Sequence, residues 1–266
     1  MNWIRTIKNI PLRFHEERSE QLAAKCVEGW RRVYLSPQAY VVCPNDALVI
    51  SIWRFHTFCR GGRKELFDFL DLARDCRRFL DLGASAGIFS ALFANTRQRS
   101  EIVSVEPDRR SFELLGETAG SNQANQPYWR NVRAAVSSER GKVRFRCDGF
   151  GGTISHDEKH EEILVHSLES LIEDLDWNPE VIKIDVESYE FEILTAAVEW
   201  LKSRRPRLFL ELHWSLLEDR GHSPAGLLDL LDSIGYRRRG RRLTAESVRS
   251  ELDSSGCARL MLEVAP

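Results

Sequence analysis

No apolar run in this sequence of 266 residues approaches the length of a membrane span. The first residues, MNWIRTIKNIPLRF, lack the uninterrupted apolar core of a secretory signal, so the sequence predicts a cytoplasmic protein. Cysteine is sparse and scattered. The six, at 26, 43, 59, 76, 147 and 257, form no C-x-x-C pair and keep no company of clustered histidines, which argues against a zinc site and a secreted disulfide framework. Charge of one sign is lacking too: 38 Lys plus Arg against 40 Asp plus Glu leave no global field to draw nucleic acid or a membrane. What remains is a chain, 42% hydrophobic, long enough to bury a full core as one α/β domain with an extension.

One stretch organises the chain, FLDLGASAGIFSALFANTRQRSEIVSVEPD from Phe79 to Asp108. A short apolar run carries Asp81 and meets a Gly-x-x-x-Gly turn at Gly83 and Gly87. Apolar residues then recur at helical spacing (Ile88, Leu92, Phe93), and a second apolar run, Ile102 to Val105, stops at Glu106. The order is strand, glycine turn, helix, strand, acid. A small-residue turn lets a ligand lie against bare backbone N–H groups at a helix start, and an acid ending the next strand accepts both hydroxyls of a ribose. Glu106 stands 23 residues after Gly83, close to the spacing of about 20 that a ribose-binding acid takes. A dinucleotide fingerprint starting at Gly83 needs glycines two and five residues on, where this chain has Ser85 and Ile88. The looser Asp81-x-Gly83-x-x-x-Gly87 pattern suits an uncharged adenosine with an amino-acid tail, as in class I S-adenosylmethionine-dependent methyltransferases.

Around this stretch the periods alternate. Trp3, Ile7, Ile10 and Phe14 fall at helical spacing, limited by Pro11; the runs YVVC and ALVISIW between Ala39 and Phe58 read as short β segments. Residues 1–63 thus read as an N-terminal extension packed on a main domain over 64–266. Helices are expected at 64–74 and 109–119, a third strand at 131–138, and a half-buried antiparallel strand over KVRFRC. The glycine-rich piece 149–162 is polar and aperiodic, a flap or a surface excursion, with His156 and His160 read as solvated loop histidines. Val181, Ile182 and Ile184 make a buried-type strand ending at Asp185, and RLFLELHW makes another carrying Glu211 and His213. The last strand is ARLMLEVAP. The basic run Arg237 to Arg242 reads as a solvated face or as an attractor for an anionic acceptor.

The motifs FLDLGASAGIFS, SVEPD, VIKIDVESYEFEIL and LFLELH occur in this order over residues 79–213, and together they resemble the FkbM family of S-adenosylmethionine-dependent methyltransferases. The resemblance implies a doubly wound, mostly parallel α/β sheet and S-adenosyl-L-methionine as cofactor. It places the cofactor along Asp81, Gly83, Ala84, Ser85 and Gly87, with the ribose on Glu106 and Asp185 close by. It also implies methyl transfer to a hydroxyl of a sugar, glycan or secondary metabolite. Two departures are visible: Ser85 in the turn, where asparagine is common, and Ser188, where IKIDVEG-type motifs have glycine.

A hydroxyl acceptor needs a base that is unprotonated near neutral pH. His213 and Asp185 are the first candidates because both end central strands, with Glu187 and Glu211 behind them. The same acids and His213 also read as a divalent-ion site that would orient and acidify the acceptor hydroxyl. The alternative to an enzyme is a methyltransferase-like module that binds a nucleoside or a partner without turnover; a dehydrogenase ranks third for want of the glycines. The acceptor's identity, self-association as a homo-oligomer and the role of the extension stay open at this level.

Overall fold

The computed structural model describes residues 26–27, 30–36, 39–44, 46, 49, 52, 60–96, 100–122, 128–147, 152–155 and 160–265. The helix expected from Trp3 to Phe14, much of the extension, and His156 lie outside these.

The described chain opens with three antiparallel strands, β1 (Cys26–Val27), β2 (Trp30–Ser36) and β3 (Ala39–Pro44), followed by helix α1 (Arg60–Leu72). Val49 and Ile52, expected in a β segment, are helical. A β-branched run reads as strand only when a sheet edge is there to receive it, and Val49 instead packs fully buried beside Leu66 and Phe69.

The expected unit follows: β4 (Arg78–Leu82), α2 (Ile88–Thr96), β5 (Glu101–Val105), α3 (Arg109–Asn122) and β6 (Tyr128–Val132). After it come β7 (Ala135–Ser137), β8 (Gly141–Cys147), β9 (Gly152–Ser155), β10 (Glu161–Ser167) and α4 (Leu168–Leu175). The C-terminal half contributes β11 (Val181–Ile184), α5 (Glu190–Ala196), α6 (Val198–Arg204), β12 (Arg207–His213), α7 (Trp214–Asp219), α8 (Pro224–Ser233), β13 (Tyr236–Arg237), α9 (Ala245–Arg249) and β14 (Cys257–Val264).

The main sheet has the order β13-β14-β12-β11-β4-β5-β6. From β12 to β6 every neighbouring pair is parallel, and β14 joins β12 antiparallel. This is a doubly wound, Rossmann-like α/β sheet. Each central strand is buried on both faces, so Leu80, Ile182 and Leu208 feed one core while Phe79, Val181 and Phe209 feed the other. The extension shares the second core: Val41 and Cys43 are buried in it, and Asn122 of α3 bonds both the N–H (3.2 Å) and the carbonyl (2.7 Å) of Val42.

Residues 131–138 do not form one strand. The chain leaves the main sheet after Val132 and enters a second sheet of order β7-β10-β8-β9 at Ala135. The pattern of NVRAAVSS cannot reveal this, because strands in both sheets have the same two-residue period. The aperiodic piece 149–162 also contains structure: β9 pairs antiparallel with β8, and Glu161 already belongs to β10. Glu161 is tied to Arg133 at 2.5 Å and Arg109 at 2.6 Å, fastening the second sheet to the start of α3.

Candidate active site

The parallel strands end on one side of the sheet, and a cleft of about 750 Å³, counted to its open mouth, lies there. Gly83, Ser85 and Glu106 form one wall, Asp185, Glu187 and Tyr189 another, and Ala135 and Phe145 of the second sheet a third.

The glycine turn is built for close approach. Gly83 has φ +74°, and a Cβ there would sit 1.7 Å from the Asp185 carbonyl oxygen, so the ends of β4 and β11 touch only because no side chain intervenes. Gly87, at φ +82°, would place a Cβ 2.6 Å from Leu115 of α3. The expectation of bare N–H groups along this turn is corrected. The N–H groups of Gly83 and Ala84 both donate to the Val105 carbonyl at 3.0 Å, and that of Ser85 donates to Glu106 Oε2 at 2.7 Å. A buried turn must satisfy its donors, and β5 runs close enough to do so. Of the turn residues, Gly83 and Ser85 line the cleft, whereas Ala84 and Gly87 stand behind it.

Glu106 receives a second N–H, from Asp108, at 2.9 Å on Oε1. Burial pushes its carboxyl up to about 7 in spite of these two bonds. The result is an oriented, desolvated acceptor on the cleft wall.

Asp81 is not on that wall. It is wholly buried, accepts from Ser90 Oγ at 2.6 Å, and faces Lys183, whose Nζ lies 3.9 Å from Oδ1. Its period-two position within β4 points it, with Phe79, to the face packed by α2 and away from the cleft.

At the end of β11 the acids separate by environment. Asp185 Oδ2 accepts from Lys183 Nζ at 2.8 Å; burial pushes the carboxyl up, but Lys183 and His213 outweigh this and hold it below its ordinary value. Glu187 lies 3.5 Å from His213 Nε2, its nearest cation among the described residues. Its side chain is 47% exposed, and the buried part pushes its carboxyl upward. Glu187 and Ser188 both take left-handed backbone, with φ +51° and +83°. Arg220 of the α7 end donates to the Ser188 carbonyl and lies over the Tyr189 ring at 3.9 Å, fixing this turn from outside the expected motif region. The serine in place of glycine is thus accommodated in a glycine-like conformation.

His213 differs most from expectation. Its Nδ1 lies 2.7 Å from Glu190 Oε1, and its Nε2 lies 3.9 Å from Asp185 and 3.5 Å from Glu187. Burial works against its charge, yet hydrogen bonding to Cys257 and Glu190 and the charges of Glu190 and Asp185 win, pushing it up to about 12. An imidazolium cannot accept a proton, so His213 does not fit the role of base. Glu211 does not reach the cleft either: it pairs with Arg259 at 2.6 Å, and burial first, then Asp185 and Glu65, push it up to about 8.

Asp185, Glu187 and His213 offer ligand atoms within 4.8 Å of one another, the right donor types for a divalent ion. The imidazolium already supplies the positive charge there, so a metal would first have to displace its proton. The Arg237 to Arg242 run does not line the cleft; Arg237 and Arg242 hold Asp232, and Arg238 holds Glu251.

Sequence reasoning gave Lys183 no role, although it stands in the IKIDVEG-type motif: a lysine inside the β-branched run VIKI is a charge placed where both faces are buried. Among the described residues no helix is long and apolar enough to cross a membrane.

Known proteins with a similar fold can be set beside this geometry. The methyltransferase FkbM from Methylobacillus flagellatus KT is 18% identical over 83% of this chain, with a TM-score of 0.45. This chain spans 55% of that protein's length. An O-methyltransferase from Bacillus cereus in complex with SAH is 10% identical over 96% of this chain and 100% of its own, with a TM-score of 0.44. The O-methyltransferase TomG from Streptomyces achromogenes, involved in tomaymycin synthesis and solved with SAM, is 12% identical over 84% of this chain and 92% of its own, with a TM-score of 0.45. No curated protein matches the chain. The family described as the methyltransferase FkbM domain matches residues 81–238, from the middle of β4 through β13 and so across every wall of the cleft. The chain belongs to the FkbM methyltransferase domain family.

Proposed function

We propose that this protein is an S-adenosylmethionine-dependent O-methyltransferase whose acceptor is a hydroxyl of a sugar, glycan or secondary metabolite. The observation that carries this reading is Glu106: a buried carboxylate at the end of β5, oriented by two backbone N–H groups, beside a glycine turn that leaves the cleft floor bare. That is the arrangement a ribose diol needs. When bound, the cofactor supplies a methyl group already activated on a sulfonium.

The chain's own residues then have three tasks. Glu106 accepts the two ribose hydroxyls. Asp185, kept anionic by Lys183, offers negative charge to the cationic part of the ligand. Glu187 takes the acceptor's hydroxyl proton, since it lines the cleft and is half-exposed. A positioned base of this kind contributes on the order of 10²–10⁴-fold, and alignment of the acceptor on the order of 7–11 kcal/mol. A cofactor held there would supply the methyl group to the acceptor oxygen, and Glu187 would hold the proton that the hydroxyl releases.

The acidic walls favour a neutral acceptor. Glu106, Asp108, Asp185 and Glu187 all face the cleft, while the basic run that would draw an anion is occupied elsewhere. Calorimetry with S-adenosylmethionine, S-adenosylhomocysteine and NAD tests the reading. Binding of the first two alone supports it, and preference for NAD rejects it. Binding without methyl transfer to any hydroxylated acceptor would favour the non-catalytic module.

A further inference from the structure

Lys183 lies within β11, the central strand of the seven-stranded main sheet, and is 2% exposed. An ammonium there is costly to desolvate, and a well-packed apolar side chain would hold the sheet together at least as well. Fold stability alone therefore gives no reason for it. Its contacts do.

Nζ donates to Asp185 Oδ2 at 2.8 Å and to the Gly83 carbonyl at 3.4 Å, faces Asp81 Oδ1 at 3.9 Å, and lies 5.0 Å from the centre of the Phe89 ring. Lys183 and Asp81 are register partners on adjacent parallel strands, so the pair is built into the sheet. One cation thus joins β4, the first glycine of the turn and the acid that follows β11, the pieces that make the cleft floor.

We propose that Lys183 is the positioning residue of the cofactor site, holding the Asp185 carboxylate by one oxygen and tying the Gly83 turn to β11. This rests on the cofactor reading above. Lys183 touches no ligand itself; it acts through Asp185 and Gly83. Asp81 is the counter-ion that lets the ammonium stay buried.

The groups facing Asp185 decide what happens when Lys183 is removed. They are Asp81 on β4, Glu106 after β5, Glu187 on the following turn, His213 and Glu211 on β12, Arg259 on β14 and Glu65 on α1. Five of these seven are acids. Without its closest cation Asp185 takes up a proton more readily and loses its charge as the pH falls.

The test is calorimetric binding of S-adenosylhomocysteine from pH 6 to 9 by wild type, Lys183→Met, which keeps the stem and removes the ammonium, and Lys183→Gln, which keeps a donor. At neutral pH Lys183→Met should bind about tenfold or more weakly, and Lys183→Gln should recover part of the loss. The gap between wild type and Lys183→Met should narrow several-fold as the pH rises and Asp185 becomes an anion again. A purely structural loss would lower affinity by the same factor at every pH, and that result overturns the proposal, as does wild-type affinity in both variants. Should Lys183→Met fail to fold, the pH course of Lys183→Gln against wild type decides alone. If wild type itself does not bind, the cofactor reading falls, and the proposal falls with it.

Discussion

His213 Nδ1 and Glu190 Oε1 lie 2.7 Å apart, and the Glu190 side chain has no exposed surface. A buried carboxylate of this kind holds its histidine as an imidazolium. Removing one partner of such a pair strands the other charge, so His213→Gln should destabilise the protein by about 3–5 kcal/mol in urea unfolding. Glu190→Gln/His213→Gln together should cost less than His213→Gln alone. The same pairing predicts that chelators leave S-adenosylhomocysteine affinity unchanged, as calorimetry with and without EDTA would show.

Glu106→Gln should weaken S-adenosylhomocysteine about tenfold or more, because two charge-assisted hydrogen bonds become neutral ones. Burial holds the carboxyl at about 7 in the ligand-free protein, so wild-type affinity should fall as the pH drops from 8 to 6. In Glu106→Gln that fall should disappear.

Glu187→Gln should separate chemistry from binding. Transfer of a labelled methyl group to a neutral polyol or glycoside acceptor should slow about 10²–10⁴-fold. Calorimetric affinity for S-adenosylhomocysteine should stay near the wild-type value. Equal loss of both would remove Glu187 from the role of base.

The two turn glycines should differ. At Gly83 the added methyl meets backbone, the Asp185 carbonyl, which cannot move without parting β4 from β11. At Gly87 it meets the end of the Leu115 side chain, which can rotate. Gly83→Ala should therefore abolish binding and cost about 3 kcal/mol or more, whereas Gly87→Ala should cost about 1–2 kcal/mol, chiefly from its positive φ.

Stability should decline from pH 6 to 9. Glu65 and Glu106 at about 7 and Glu211 at about 8 lie above their ordinary value of 4.5, so the stability they contribute is present at low pH and lost as the pH rises through those values. His213, raised from 6.5 to about 12, adds stability below 6.5 that is lost as the pH climbs toward 12. All four act in one direction over this window. Scanning calorimetry of the ligand-free protein should show a Tm lower by about 5 °C or more at pH 9 than at pH 6.

The alternation of periods, the Gly83 turn and the acids at 106 and 185 were legible in the sequence because each is fixed within a few residues of chain. So was the family, since its motifs run in order from β4 to β12. The break at Arg133 was not legible, because a strand changing sheets keeps its period. Nor was the clamp of Arg220 on the Ser188 turn, which joins residues 32 apart through the C-terminal part that carried no motif.

The strands and helices of the main sheet, and the acids near its strand ends, follow from the sequence alone. Local sterics and hydrophobic periodicity act over short stretches of chain, so they can be read from it directly. What those acids and His213 do depends on packing between distant parts of the chain. Asp81 became a buried counter-ion through the register of β4 with β11, and His213 became a cation through Glu190, 23 residues away in the chain. Protonation follows the charges that packing brings within a few ångströms, and neighbours of that kind are set by the fold.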